Sequence, residues 1–412
     1  MKNHNGFALS CQSHATIRTG LTNKIVVTSK VWSFKGVFMM AKRVSKSLSA
    51  VAVALVPMVY AGGVAAADYT TTTASVTLFG TDGKPTAAFK QLLQATFGQG
   101  TLVNVFAGGA SVGQLVTADA SRGGNNYALQ GGTRFSLPGQ GTGAAAGGHA
   151  PKWNGWLSLA RNSVAYKFQP LASDGHVKNV TAGIDYTFDN KIIAGVAVMY
   201  DKSDFDLTGT VFTAGSKLKG DGYKVAPYVA VPLTRNLVLD AMVGMGTSDV
   251  DLDLGTVTGA SNNIDGKTRF FTSGLTFTAA KSGPVGLSGR AAYVSVKDKL
   301  GSFVLTNGAG ATNAVGNVDT KLSQGRVGGK VTYDAGFWTP YLGLTYVYDF
   351  KKPNDDLVLG LKPKADRDGV VGTVGVSFNG RGPLYGSVQY SHEASRDQIK
   401  NNQIMLNLGV KF

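Results

Sequence analysis

Apolar and polar residues alternate along the C-terminal two-thirds of the chain, and the last ten residues show the pattern most clearly. Because successive side chains of a strand point to opposite faces, this stretch predicts a strand with two different faces. One face is small or polar and carries Gln403, Asn407, Gly409 and Lys411. The other is apolar and carries Ile404, Leu406, Leu408, Val410 and Phe412.

The same alternation predicts twelve strands between residue 153 and the C-terminus. They lie at 155–168, 177–188, 191–206, 218–232, 236–251, 266–280, 284–297, 322–334, 338–350, 368–379, 382–392 and 403–412. In each of them one face is apolar. The opposing faces hold Gly, Thr, Ser and charged residues, which predicts a small and polar inner wall.

The connections between these strands alternate in length. Short turns such as 189–190 and 380–381 alternate with longer polar loops, of which the longest runs from 298 to 321. In outer-membrane barrels short turns face the periplasm, long loops face outward, and an even strand number returns both ends to the same side. A soluble sandwich has an apolar interior and no reason to sort its loops in this way. The pattern therefore predicts an all-β fold, an antiparallel up-and-down transmembrane β-barrel of twelve strands at 153–412, which we expect to be monomeric in the outer membrane of a Gram-negative bacterium.

Composition narrows the function classes. The chain has 55 Gly and a single Glu, and it has no apolar run of about eighteen residues outside its N-terminal leader, which argues against a helical membrane protein. The formal charge is +15, but residues 1–67 contribute eight basic and no acidic residues to it. The remaining basic residues are spread singly, without the clustered patch that a nucleic-acid partner requires, so none is predicted.

The leader at 1–67 has the order of a secretory signal. A basic start is followed by the apolar centre 48–60 and by small residues at Ala65 and Ala67, which predicts cleavage before Asp68 and export by the general secretion translocon. The signal proper covers about 40–67, and 1–38 is an extension or a misassigned start. Cys11, the single cysteine, lies in this removed part, so disulfides and cysteine-bound metals are excluded, and no cofactor is predicted.

Residues 68–152 form a different kind of sequence. They begin with a Thr run at 70–73, continue with a predicted helix at 85–97, and end in the Gly-rich stretch 139–148. A short passenger, a plug and a linker all fit this segment.

Eleven charged residues fall on the predicted inner face, with a small excess of basic ones. They are Arg161, Lys167, Asp185, Asp201, Lys224, Asp240, Arg290, Arg326, Lys330, Asp349 and Lys411. Twelve strands enclose a lumen that is wider than that of an eight-stranded barrel, which side chains fill, and narrower than that of an aqueous porin. A passive pore with a mild anion preference and an N-terminal plug is therefore an alternative function.

An outer-membrane lipid hydrolase is a remote alternative, because His176, Ser391 and His392 fall near ends of long loops. A serine nucleophile needs a base within hydrogen-bonding reach. Ser391 and His392 are neighbours on a strand and point to opposite faces, which prevents their direct pairing. We predict that the protein is not an enzyme.

Several segments resemble the β-barrel translocator domain of autotransporters, the type V secretion family. These are 181–186, 193–198, 200–204, 220–223 and 237–240, followed by the terminal Phe412. The resemblance covers about 153–412. It implies that the barrel anchors in the outer membrane and presents an N-terminal passenger at the cell surface, and that the terminal apolar stripe is the signal read by the barrel assembly machinery.

Two departures from the family limit what the resemblance implies. Members usually thread a helix through the barrel just ahead of the first strand, but 139–155 is too rich in Gly to be helical. The candidate passenger at 68–152 is also short and lacks the repeat of a stacked β-helix. We therefore do not expect secretion of a large effector.

Overall fold

The computed structural model describes residues 152–412, except for eight internal gaps, together with the backbone of two short strands upstream. The gaps are 168–171, 210–211, 213, 256–258, 280–282, 352–366, 380–383 and 397–398. The predicted signal peptide and the predicted helix at 85–97 lie outside the described residues. In the part of the chain that is described, no helix is long and apolar enough to cross a membrane.

The described residues form sixteen strands. They are β1 Asn126–Ala128, β2 Arg134–Ser136, β3 Trp153–Tyr166, β4 Ser173–Thr187, β5 Ile193–Leu207, β6 Lys217–Thr234, β7 Leu237–Asp253, β8 Ala260–Thr278, β9 Val285–Leu300, β10 Phe303–Thr306, β11 Thr312–Val315, β12 Val318–Tyr333, β13 Trp338–Lys351, β14 Asp368–Asn379, β15 Leu384–Ala394 and β16 Ile399–Lys411.

Twelve of these strands close into one antiparallel barrel, which confirms the predicted fold class and strand number. Strands β3 to β9 pair in chain order, β9 pairs with β12, and β12 to β16 again pair in chain order. β16 then pairs with β3, from Ile399 opposite Tyr166 to Lys411 opposite Asn154. We call this pairing of the last strand with the first the seam. β1 and β2 form a separate two-stranded sheet.

The two rims of the barrel differ in their connections. β3 begins and β16 ends at one rim, where the predicted short turns join the strands, and we call it the turn rim. There the backbone of Trp153 and that of Phe412 exchange two hydrogen bonds of 3.1 and 3.2 Å. At the opposite rim, the loop rim, the connection from β9 to β12 folds into the hairpin β10–β11, which the sequence did not predict.

Hydrogen bonds between strands that are not neighbours identify the inner face, because only side chains inside the barrel can meet across it. Trp156 on β3 donates such a bond of 2.8 Å to Tyr228 on β6. The opposite face carries an exposed apolar band. On β7, for example, Leu239, Val243 and Met245 are 38%, 52% and 61% exposed. The outward residues from Leu237 to Met245 span roughly 20 Å along the barrel axis, which suits the apolar zone of an outer membrane.

Several strands extend further at the loop rim than the sequence predicts. β7 continues to Asp253 and β8 starts at Ala260, whereas the predicted boundaries were 251 and 266. In this extension the outward residues are polar and the inward residues apolar: Asp253 and Asp265 point outward, and Leu252 and Ile264 are buried inside. The sequence predicts a loop at these positions because the outward residues are acidic. Acidic outward residues are expected where the barrel wall extends beyond the membrane into water.

The described part of the interior contains two large apolar clusters, which corrects the prediction of a uniformly small and polar inner wall. The first lies at the level of the apolar band and consists of Trp156, Ile193, Ala197, Met199, Ala226, Tyr228, Ala230, Val238, Met242, Phe270, Val294, Val296 and Leu322. The second, which we call the rim cluster, lies at the loop rim and consists of Val164, Val177, Phe205, Leu207, Leu218, Val250, Leu252, Leu254, Ile264, Leu300, Phe303, Leu305, Val315 and Val318. In the described residues, neither cluster includes a member from β13 to β16.

Candidate functional site in the barrel lumen

The structure places nine of the predicted luminal charges on the inner face. They are Asp185, Asp201, Lys224, Asp240, Arg290, Arg326, Lys330, Asp349 and Lys411. The acids among them are deeply buried, with exposed fractions of 1% to 7%. They fall into three groups: ion pairs within the wall, a network at the loop rim, and a network that crosses the seam.

Arg161 and Lys167 are not luminal, which corrects the prediction. Arg161 is exposed and pairs with the outward-facing Ile404 of β16, so it lies on the outer face, and its buried neighbour Asn162 faces the lumen. An offset of one residue moves a side chain to the other face of a strand. Lys167 is exposed just beyond the end of β3, where the neighbouring Lys400 ammonium lowers its pKa.

Two ion pairs lie within the luminal wall. Lys224 binds Asp201 on the adjacent strand. Arg290 on β9 makes a bidentate pair with Asp240 on β7, with distances of 2.6 and 2.8 Å. The guanidinium crosses the intervening strand β8 at Gly274, where a Cβ atom would lie only 2.0 Å from its Nη2 atom. A side chain at that point would displace the guanidinium from its present position.

A second polar group lies at the loop rim and depends on a residue that the sequence analysis missed. Arg396, in the connection from β15 to β16, turns into the barrel and contacts Asp349 at 2.8 Å and Glu393 at 3.0 Å. Gln324 donates to the same Asp349 carboxylate at 2.6 Å and accepts from Arg326 at 2.7 Å. The Arg396 side chain is only 2% exposed. The loop position of Arg396 gave no strand periodicity from which its inward direction could be predicted.

A third polar group crosses the seam near the turn rim. Tyr385 on β15 donates to Asn154 on β3 at 2.5 Å, and Asn154 donates to Asp185 on β4 at 3.0 Å. The same Asp185 oxygen accepts from Tyr228 on β6 at 2.7 Å, and Tyr228 accepts from Trp156 at 2.8 Å. These bonds connect four strands through the lumen. Of this network, the alternation of the sequence predicted only that Asp185 points inward.

The apolar stripe of β16 points outward from the barrel. Ile404, Val410 and Phe412 are 59%, 40% and 61% exposed, whereas Met405 on the opposite face is fully buried. The stripe thus lies on the lipid-facing side of the seam, with Phe412 at the turn rim.

The serine and histidine that motivated the hydrolase alternative do not meet. Ser391 faces inward and shares a hydrogen bond of 3.0 Å with Thr373. His392 faces outward, where its Nδ1 lies 2.6 Å from the Asn402 side-chain oxygen. His176 is also on the outer face, on β4. Among the described residues there is also no group of three side chains able to hold a metal ion.

A closed barrel with an even number of antiparallel strands, an apolar outer band and polar networks inside defines an integral β-barrel protein of the outer membrane of Gram-negative bacteria. The model of one family, described as the autotransporter β-domain, matches residues 153–391, which is more than half of the chain. The chain belongs to this autotransporter family, and its barrel is an autotransporter translocator domain.

Solved structures agree with this fold. The β-domain of the Bordetella autotransporter BrkA is similar with a TM-score of 0.52 and 17% identity, over 63% of this chain and 100% of that one. The translocator domain of NalP from Neisseria meningitidis is similar with a TM-score of 0.51 and 12% identity, over 63% of this chain and 89% of that one. At these identities the likeness concerns the fold alone. No curated protein matches the sequence.

Proposed function

We propose that the barrel anchors the chain in the outer membrane and displays residues 68–152 at the cell surface as a short passenger. The position of the first barrel strand carries this proposal. β3 begins at the turn rim, directly beside Phe412, and this rim faces the periplasm in barrels of this class. Residues ahead of Trp153 therefore arrive at the periplasmic rim, and they reach the surface only through the lumen that the twelve strands enclose.

Protease treatment of intact cells tests the display. An epitope tag inserted after Asp68 should be removed by added protease, and the protected fragment should start near Trp153. As a matched control, the same tag at Gly336, in the turn between β12 and β13, should resist protease until the outer membrane is permeabilised. A tag at Asp68 that behaves like the tag at Gly336 would contradict display and would favour a plug or a periplasmic segment.

A porin-like channel is the second candidate function, but the charges of the wall do not favour it. Two further acids, Asp298 and Glu393, face inward, whereas Arg161 faces outward and Lys167 is exposed beyond the end of β3. The basic excess behind the anion-selective alternative therefore disappears among the described residues. The luminal Lys330 and Lys411 also lie over the rings of Tyr341 and Tyr385, at 5.2 and 5.8 Å. Conductance in planar bilayers should therefore be low and unselective for anions, and a large anion-selective current after deletion of 68–150 would support the pore.

We also propose how the last strand acts in assembly and which oligomeric state the barrel adopts. The apolar stripe that ends at Phe412 is the signal that we assign to the barrel assembly machinery, because it is outward-facing and belongs to the strand that closes the seam. A closed barrel leaves no unpaired strand edge, so we expect a monomer. We assign no catalytic step to the barrel, since Ser391 and His392 face opposite sides of its wall.

A further inference from the structure

Five basic side chains form a compact patch on the outer face of the barrel, on β8, β9 and β12. They are Lys267, Arg269, Lys297, Lys299 and Lys321, and all five are exposed. Their strand register brings them together in two rows. Lys267 lies opposite Lys299, and in the next row Arg269 lies opposite Lys297, which itself lies opposite Lys321. We call this set the basic patch.

The basic patch places like charges directly opposite each other. Directly opposed side chains of neighbouring strands have Cβ atoms about 4.5–5.5 Å apart, and like charges in such pairs are destabilising. Lys297 has a cationic neighbour on each side. In the described part of the chain, none of the five forms an ion pair. Asp319 lies opposite Lys299 at the end of the first row, whereas the positions opposite Lys297 are both cationic. The wall therefore presents concentrated positive charge that an external anion would stabilise.

The position of the basic patch identifies the kind of anion. It starts at the loop-rim edge of the apolar band, because Arg269 lies opposite Met245 and is two residues along β8 from the outward-facing Phe271, about 7 Å away. Along β9, the outward Tyr293 is likewise followed by Lys297 and Lys299 on the same face. The patch lies toward the loop rim, which faces outward in this class. The anionic groups at this height, at the boundary of the outer hydrocarbon leaflet, are the phosphates of lipid headgroups.

The outward cations of β6, Lys217 and Lys219, differ from the basic patch because acids lie opposite each of them on both sides. Lys219 lies between Asp204 and Asp251, and Lys217 lies between Asp206 and Asp253. Lys217 forms an ion pair of 3.6 Å with Asp206. Their charge is compensated within the wall, so they provide a control region of the same chain. A second like-charged row, Arg161, Lys178 and Lys202, crosses β3 to β5, but its end at Lys202 also faces Asp221.

We propose that the basic patch is a binding site for the phosphorylated glycolipid of the outer leaflet, lipid A, with Lys297 at its centre. Arg and Lys are the side chains that bind phosphate, as a planar fork and as a point charge respectively. The acyl chains of the lipid would cover the apolar band around Phe271 and Tyr293 directly below. The bound glycolipid would relieve the repulsion within the two rows.

Native mass spectrometry of the full-length exported protein with added lipids tests this site. Each Lys or Arg near an anionic lipid surface contributes about fivefold to affinity, so Arg269→Gln/Lys297→Gln/Lys321→Gln should reduce the affinity for bisphosphorylated lipid A roughly 100-fold. The control Lys152→Gln/Lys217→Gln/Lys219→Gln removes the same net charge from cations that face acids, since Lys152 forms an ion pair of 2.8 Å with Asp189, and it should keep the wild-type affinity. Wild-type protein should also prefer bisphosphorylated lipid A over the same lipid without its phosphates.

The proposal would be overturned if the triple variant bound lipid A with wild-type affinity, or if the wild-type protein bound lipid A equally well with and without its phosphates. It would also be overturned if phosphatidylglycerol bound as tightly as lipid A, because any anionic headgroup would then suffice. If the triple variant does not fold, Lys297→Gln alone should lower the affinity about fivefold. Without lipid A this single variant should unfold at the same or a higher temperature than wild type, because a repulsive contact is removed. A lower unfolding temperature without lipid would show that Lys297 has a structural role instead.

Discussion

Tyr385 donates a hydrogen bond of 2.5 Å to Asn154, although β16 lies between the two strands that carry them. The phenol ring crosses β16 at Gly409, where a Cβ atom would lie 2.0 Å from the ring. Tyr228 crosses β5 in the same way at Gly195 to reach Asp185. The barrel is therefore held closed at its seam by side chains as well as by the backbone ladder.

Gly409→Ala should weaken the seam by pushing the Tyr385 ring away from Asn154. Overpacking of this kind costs about 1–3 kcal/mol, which should lower the temperature at which the folded, heat-modifiable form is lost in gel electrophoresis. Gly372→Ala on β14 is the matched control, because a Cβ atom there meets nothing within 4 Å. Equal unfolding temperatures for the two variants would show that the crossing is not important for stability.

Arg290→Met should destabilise the barrel by about 3 kcal/mol, because it leaves the Asp240 carboxylate buried without its partner. We place the value at the lower end of the known range because the Arg290 side chain is 26% exposed. Urea unfolding of the barrel in lipid vesicles measures this loss. The double variant Arg290→Met/Asp240→Leu removes both charges and should recover much of the stability, whereas no recovery would show that the pair contributes through packing.

Val243→Arg should reduce the folded yield in lipid vesicles, since an outward Arg in the apolar band costs about 2–4 kcal/mol near the bilayer midplane. Asp249→Arg is the matched control on the same face of the same strand, six residues nearer to the loop rim. It lies opposite Asp221 and Asp265, and it should fold normally. A larger loss for Asp249→Arg would contradict the position that we assign to the membrane.

Phe412→Ser should leave export intact and reduce the amount of folded barrel in the outer membrane, because it removes the end of the outward apolar stripe. Phe337→Ser in the turn between β12 and β13 tests whether the effect is specific, since this aromatic residue lies at the same rim and is similarly exposed, at 64% against 61%. Cell fractionation with a heat-modifiability assay measures both variants. Equal losses would mean that Phe412 acts only as an interfacial aromatic residue.

The strands that lie within the membrane could be predicted from the sequence because lipid imposes a simple rule on them. Leu239 and Val243 face lipid and must therefore be apolar, whatever the barrel interior contains. Their alternation with the polar Asp240 was enough to predict the strand and its two faces, and the repetition of this pattern predicted the barrel. Above the membrane this rule fails, because water outside permits an outward acid such as Asp253 and the interior can be apolar, as it is at Leu252. The ends of β7 and β8 were consequently predicted too short.

The polar networks could be predicted only in part. The inward direction of Asp185 and Asp240 follows from alternation, but their partners Asn154 and Arg290 depend on which strands become neighbours and on where a glycine lets a side chain cross. Arg396 could not be found by periodicity because it belongs to a loop. Arg161 was assigned to the wrong face because the alternation of β3 weakens there, where Ala160 and Ser163 fit either side.

The rim cluster makes the loop-rim opening asymmetric. Its apolar side chains come from β3 to β12, whereas the opposite wall at the same height carries the charged contacts of Asp349, Glu393 and Arg396. A polypeptide that leaves the lumen at this rim would pass an apolar surface of the barrel on one side and a charged surface on the other. On the route that we propose for the passenger, an amphipathic segment would therefore leave the barrel with its apolar face toward the rim cluster and its polar face toward Arg396.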